Sequence, residues 1–274
     1  MAFQPVIGQG GLPGWRLLER TLDRQMTAHA ANPASLRDEA YFRERATMLR
    51  APDDLVSDRR LLRIALTAFG LADDLNNRVF IRRVLESDLG DRRSLANRLA
   101  DKRYLEFASA FRFKDPEGPA TQRAGFADGL LQRFRDLRFE EAVGSQNDSM
   151  RLALALRRDL QRIATQPVSE DARWFSVLGS RTLRVVFEQA FGLPREFATL
   201  DLDRQVTILR ARVRGLTGSS EIAQFAEAGR IDRLVTRFLT MAQVSQMRQN
   251  SATSIALGIL QSAPRPGPAG FGRS

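Results

Sequence analysis

Arg59-Arg60-Leu61-Leu62-Arg63-Ile64-Ala65-Leu66-Thr67-Ala68-Phe69-Gly70-Leu71 is the stretch that decides the fold. Leu61, Leu62, Ala65, Leu66 and Phe69 share one helical face, whereas the arginines lie mostly off it. Gly70 follows the last turn, where a residue without Cβ can take the left-handed conformation that closes a helix. The last four letters, Ala68-Phe69-Gly70-Leu71, recur as Ala190-Phe191-Gly192-Leu193. Leu183, Val186 and Phe187 form the same stripe ahead of the second copy, and Pro194 follows it, as expected just past a helix end. At that constant offset Arg59 pairs with Arg181, Leu61 with Leu183 and Leu75 with Phe197. The shared helix predicts an internal duplication, against the alternative of two independent helix–glycine stops. Gly70 and Gly192 are both expected at positive φ, with Phe69 and Phe191 buried.

Outward from this stretch the helical period persists and no strand alternation is sustained. The expected fold is all-α and two-lobed, with a helical hairpin between the lobes. Residues 1–34 read as an N-terminal extension and helix, 35–115 as the first lobe and 116–168 as the linking hairpin. Residues 169–242 read as the second lobe, and 243–274 as a C-terminal helical extension and disordered tail. In the first helix Trp15, Leu18, Leu22 and Met26 make an apolar seam, ended at Asn32-Pro33. Ser35 is expected to cap the next helix and Pro52 to end it. Asp73-Asp74 should open a helix burying Leu75, Val79, Val84 and Leu85, with Ser94 and Asp101 as later caps. Lys114 to Pro119 reads as a hinge before a helix over 120–141, and Gly215 and Gly218 as stops after residue 214.

The 274 residues are 43% hydrophobic and 27% charged, enough for one large or two modest cores. Cysteine is absent, which excludes disulfides, thiolate metal sites and a cysteine nucleophile. The net charge is +10 and the pI near 11.2, carried almost wholly by arginine, since Lys102 and Lys114 are the lysines. Such a balance suits nucleic acid, anionic lipid or an acidic partner. The arginines come as pairs such as Arg82-Arg83 and Arg157-Arg158, separated by acids, so solvated faces laced with ion pairs are expected. Neither a cleaved secretory signal nor a membrane-spanning run is legible.

Little in the chain spells out chemistry. His29 is the single histidine, near a helix end where an imidazolium would favour the dipole. Gly8-Gln9-Gly10-Gly11 has the glycines of a phosphate loop but not the following Lys-Ser/Thr. Asp53-Asp54 and Asp73-Asp74 read as helix caps rather than paired catalytic carboxylates. Glu140-Glu141 close a helix against its dipole and read as solvated. Phe107, Phe111 and Phe113 with Arg103 and Arg112 can imitate a single-strand binding surface, but four-residue spacing favours the core. Catalytic, metal and cofactor residues are therefore expected to be none.

The run Ala51 to Leu71 resembles the DUF1217 family, as do Val84-Leu-Glu-Ser-Asp88, Leu95 to Tyr104 and Leu200-Asp-Leu-Asp-Arg-Gln205. The resemblance spans roughly residues 41–239 and carries over no catalytic or ligand residue. It implies a non-enzymatic alphaproteobacterial protein whose genes often lie in flagellar clusters. The function expected is structural or accessory, in flagellar assembly, through protein–protein contacts. The alternative is a basic nucleic-acid-binding regulator. Flagellar components are the implied partners, with self-association a further outcome and nucleic acid disfavoured. The compartment implied is the cytoplasm, or the flagellum after export without a cleaved signal. Contact is assigned to Trp15, Leu18 and Leu22 of the first helix and to Ile255, Leu257, Ile259 and Leu260, an apolar cluster beyond an amide-rich spacer.

Overall fold

Asp58 and Ser180 start the two repeated helices. The Asp58 carboxylate accepts from the amides of Arg60 and Leu61 at 2.9 and 3.0 Å, and the Ser180 hydroxyl from Leu183 at 3.3 Å. Both helices end in one hydrogen-bond pattern. Leu71 N–H donates to Leu66 O and Leu193 N–H to Glu188 O, each at 2.9 Å, while Gly70 and Gly192 bond three residues back at 3.0 and 3.2 Å. The glycines sit at φ +67° and +59°, the Schellman closure the sequence predicts. The likeness is one of local geometry.

The computed structural model describes residues 3–262, with side chains to Arg248. Among the described residues all regular structure is helical. The α-helices are α1 Gly11–Ala30, α2 Pro33–Ala46, α3 Pro52–Ser57, α4 Arg59–Thr67, α5 Arg78–Leu85, α6 Leu95–Arg98 and α7 Arg103–Phe111. They continue as α8 Phe126–Gly144, α9 Asp148–Ala164, α10 Glu170–Gly179, α11 Arg181–Phe191, α12 Leu202–Thr217 and α13 Ala228–Ser262. Short 3-10 turns lie at Ala72–Asn76, Ala120–Gln122, Arg195–Thr199 and Ile222–Ala226.

Two apolar cores result. The first gathers Phe42, Leu55, Leu62, Phe69, Phe107 and Phe111 with Leu131 and Phe134 from the start of α8. Its centre is aromatic: Phe107 meets Phe69 edge-on at 5.3 Å, and Phe111 stacks on Phe113 at 5.5 Å. The single-strand binding surface imagined for these rings is thereby excluded; Phe107 and Phe111 are fully buried. The second core gathers Trp15, Leu18, Leu156, Trp174, Phe187 and Phe238 with Phe139 and Val143 from the end of α8. Thus α8 enters both cores, whereas α9 and α1 contribute to the second.

Several local expectations are corrected. Asn32, not Ser35, caps α2, accepting from Ala34 N–H at 2.9 Å, because Pro33 supplies a first helical position that needs no amide. Pro52 likewise opens α3 rather than ending α2, and Asp54 accepts from the amides of Arg50 and Ala51. Asp73 and Asp74 lie in a 3-10 turn and α5 starts at Arg78, which leaves Val79 exposed. Ser94 stands at the start of α6 without capping it; its hydroxyl accepts from Asn97 instead. The helix expected over 120–141 is broken at Gly125, φ +80°, and begins at Phe126. Gly215 lies inside α12, which closes at Gly218.

Candidate interaction surface

Arg157 on α9 holds the two terminal helices together. Its guanidinium donates to Glu19 of α1 and to Asp232 of α13, and lies 5.6 Å from the centre of the Trp15 ring. At the other end of the pair, Gly11 faces the Gln243 side chain so closely that a Cβ there would lie 2.8 Å from its Oε1. Residues 11 to 19 of α1 therefore run antiparallel to residues 243 to 232 of α13. The segment before α1 folds back along it. Gln25 donates to Val6 O and accepts from Val6 N–H at 2.9 and 2.6 Å, taking the place of a neighbouring peptide group. The glycines at 8–11 make the turn that permits this, and a Cβ on Gly14 would strike Gln9 O. Gly8, Gly10 and Gly11 are crowded by the side chains of Leu17, Asn147 and Gln243, so these glycines serve packing within the chain.

Past Gln243, α13 leaves this support. Gln246, Met247 and Arg248 are exposed and Val244 half-buried, while the helical backbone continues to Ser262. That is about 30 Å of helix beyond Ala242 at 1.5 Å per residue. Of the contact residues expected from sequence, Trp15 and Leu18 are buried in the second core and Leu22 is half-buried against it. They present the α1 surface to this molecule's own helices. Ile255, Leu257, Ile259 and Leu260 lie beyond the described side chains, as does the tail from Pro264 to Gly270 beyond the described residues.

The neighbour of Arg157 faces the opposite way. Arg158 donates to Glu140 of α8, and Arg162, one turn on, reaches Glu106 of α7 at 3.0 Å. Three arginines of α9 so join α1, α13, α8 and the first lobe. Glu140, expected to be solvated, is 7% exposed. Burial pushes its carboxyl up to about 7; Arg158 opposes that rise, while Asp159 and Asp136 add to it. Burial alone would lower the Arg158 pKa, but Asp159 and Glu140 more than offset it and keep the guanidinium charged. The sequence offers one retrospective signal, an acid pair where the helix dipole disfavours it.

His29 is structural. It is buried between Phe3 and Phe139, whose ring centres lie 6.5 and 5.7 Å away, and burial with nearby Arg138 lowers its pKa. The neutral imidazole belongs to the core rather than to the helix dipole. The acid pairs bind protein groups: Asp53 pairs with Arg82 at 3.4 Å, and Asp74 accepts from Tyr104 Oη at 2.5 Å. Burial and that bond push Tyr104 up to about 12. Among the described residues, no three His, Asp or Glu side chains converge as a metal site, and no helix is long and apolar enough to cross a membrane.

No match is found among curated proteins. A structural-genomics crystal structure of a protein from Agrobacterium tumefaciens superposes with a TM-score of 0.71 at 24% identity, covering 88% of this chain and 99% of that one. At that identity the likeness shows a shared fold. The family described as "Protein of unknown function (DUF1217)" matches residues 68–231, from the first Ala-Phe-Gly-Leu segment into the start of α13. With more than half the chain matched, the protein belongs to the DUF1217 family.

Proposed function

We propose that this chain is a non-enzymatic structural or accessory protein of flagellar assembly, working by protein–protein contact through its terminal helices. The observation that carries the mode of action is the continuation of α13 to Ser262, past the point where α1 supports it. A partner that packs on a helix already formed binds at low ordering cost. The flagellar context comes from the resemblance of the Ala51–Leu71 run and its companions. Residence in the cytoplasm, or in the flagellum after signal-independent export, is part of the same proposal.

The test is a chain ending at Ser251, expressed in flagellated cells beside the full-length protein. It is expected to keep its helical circular dichroism and melting temperature, because the described core residues end by Ala242. It is also expected to lose incorporation into the flagellar fraction. Unfolding of the shortened chain would make the extension ordinary core. Equal fractionation of both chains would remove the role assigned to it.

A further inference from the structure

A groove of about 460 Å³ runs between the end of α12 and the middle of α13. Its floor is apolar, with Leu216 from α12 and Met241 from α13. Arg233 and Arg237 stand on its rim, one helical turn apart and both exposed. Neither has a carboxylate partner among the described residues; Asp232 beside them is engaged by Arg157. Arg237 instead lies over the Phe191 ring, 5.6 Å from its centre. Thr240 donates its hydroxyl to Thr236 O, leaving its methyl for an apolar guest. The apolar row continues along α13 from Met241 to half-buried Val244.

The corresponding corner of the first lobe is filled. Arg103 donates to Gly70 O and is itself held by Asp101 at 2.6 Å. At Gly192 the facing side chain is Met241, from the groove. The second lobe thus has an apolar trough whose two arginines have no carboxylate partner among the described residues, Asp232 in the same lining being held by Arg157, where the first lobe has a closed polar contact.

We propose that this groove docks an acidic, amphipathic helical segment of another protein. A helix laying apolar anchors at i, i+3 and i+4 into the trough matches its floor. Carboxylates four residues apart on that guest match the spacing of Arg233 and Arg237, and guanidinium–carboxylate pairs are stronger than neutral hydrogen bonds. A second copy of this chain is the poorer occupant. A two-fold interface would bring a second pair of these arginines into one contact between two chains that each carry +10. The inference rests on the protein–protein reading above but concerns the groove between α12 and α13, not α13 beyond Ala242.

The experiment uses full-length protein and a fluorescent probe peptide of about 18 residues, five helical turns. Leucines follow helical spacing and glutamates flank them. One control replaces glutamate by lysine, and another shuffles the sequence to abolish the apolar face. The glutamate probe is expected to bind about tenfold tighter than either control, and Arg233→Glu with Arg237→Glu to weaken it about tenfold again. The lysine probe should regain binding to that double variant. Both arginines are exposed, so melting and circular dichroism should hold; if the double reversal does not fold, Arg233→Glu alone carries the same comparison. Equal binding of glutamate and lysine probes, or unchanged binding by the reversed variant, overturns the proposal. So does displacement of the probe by a single-stranded oligonucleotide, or a dimer that the reversal splits into monomers. The chain ending at Ser251 keeps the groove and should bind the probe fully, whatever becomes of its flagellar incorporation, so either idea can fail without the other.

Discussion

Phe69-Gly70 and Phe191-Gly192 end helices of one design in different company. Each phenylalanine is 7% exposed, each glycine is left-handed, and each ring lies under an arginine, Arg133 at 5.0 Å and Arg237 at 5.6 Å. The covering helices differ. In the first lobe α8 lies across the helix end, and Arg103 bonds the Gly70 carbonyl. In the second lobe α13 lies there and brings Met241 and an open groove. The local sequence therefore sets how a helix stops, while the chain that arrives later sets whether the stop is sealed. The unsealed one borders the groove proposed above as a docking site.

The largest effect should come from the rings. Phe69→Ala and Phe191→Ala each remove a nearly buried side chain and should cost about 3–4 kcal/mol in urea unfolding. If the cores are energetically joined through α8, each variant should shift one common transition. A split transition in which Phe69→Ala moves only one half would show that the lobes fold apart. A loss below about 1 kcal/mol at either site would break the likeness of the two corners.

The join itself is tested through Glu140. Its folded-state carboxyl is raised from 4.5 to about 7, so the folded state holds the proton more tightly than the unfolded chain does. The stability this confers is complete below the unfolded value and is lost as pH rises toward about 7. The full-length protein should lose about 1–3 kcal/mol more between pH 5 and pH 8 than Glu140→Gln does. Asp136 and Glu141, also raised by burial, leave some slope in the variant. A variant as pH-sensitive as its parent would relieve Glu140 of this role.

Legibility followed range. The stripes of α4 and α11 and their glycine stops involve residues within one or two turns, and their periods and positive φ values were readable. Pro52 and Asn32 show a nearer failure, since proline both ends and begins helices and only the flanking chain decides. Glu140, His29 and Arg157 show the deeper one. Their partners lie on other helices: Arg158 on α9, Phe139 on α8, Glu19 and Asp232 on α1 and α13. Nothing local distinguishes Arg157, which clasps three helices, from an arginine on a solvated face. Of the groove, sequence spacing shows that Arg233 and Arg237 share a face, but not that Leu216 closes the other wall.

The glycines give the next effect. Gly70→Ala and Gly192→Ala each force a Cβ into the left-handed region, at a cost of about 1–2 kcal/mol. Gly70 should be the worse site. Its Cβ would meet Arg103 Nη1 at 3.3 Å, whereas that of Gly192 would meet Met241 at an ordinary 3.5 Å. Thermal melts should therefore rank Gly70→Ala below Gly192→Ala. The reverse order would mean that the open corner is the more tightly held.

The smallest effect separates the covering arginines. An exposed guanidinium over a ring contributes about 0.5–1 kcal/mol. Arg133 has acidic Asp136 nearby, whose carboxyl it helps keep charged, so Arg133→Ala should lose most of that amount. Arg237 has Arg233 one turn before it, a like-charge pair that costs about 0.2–0.5 kcal/mol on a helix. Arg237→Ala loses the ring contact but relieves the repulsion, so its net change should lie within about 0.3 kcal/mol of zero at low salt. Raising the ionic strength screens the Arg233–Arg237 repulsion more than the close ring contact, so the cost of Arg237→Ala should then grow. Arg233 and Arg237, one turn apart and without a carboxylate partner among the described residues, stand where the proposed acidic guest would pair with them. If Arg237→Ala proves as costly as Arg133→Ala at every salt concentration, the arginine is a structural cap like its counterpart and is not held in reserve for an acidic guest.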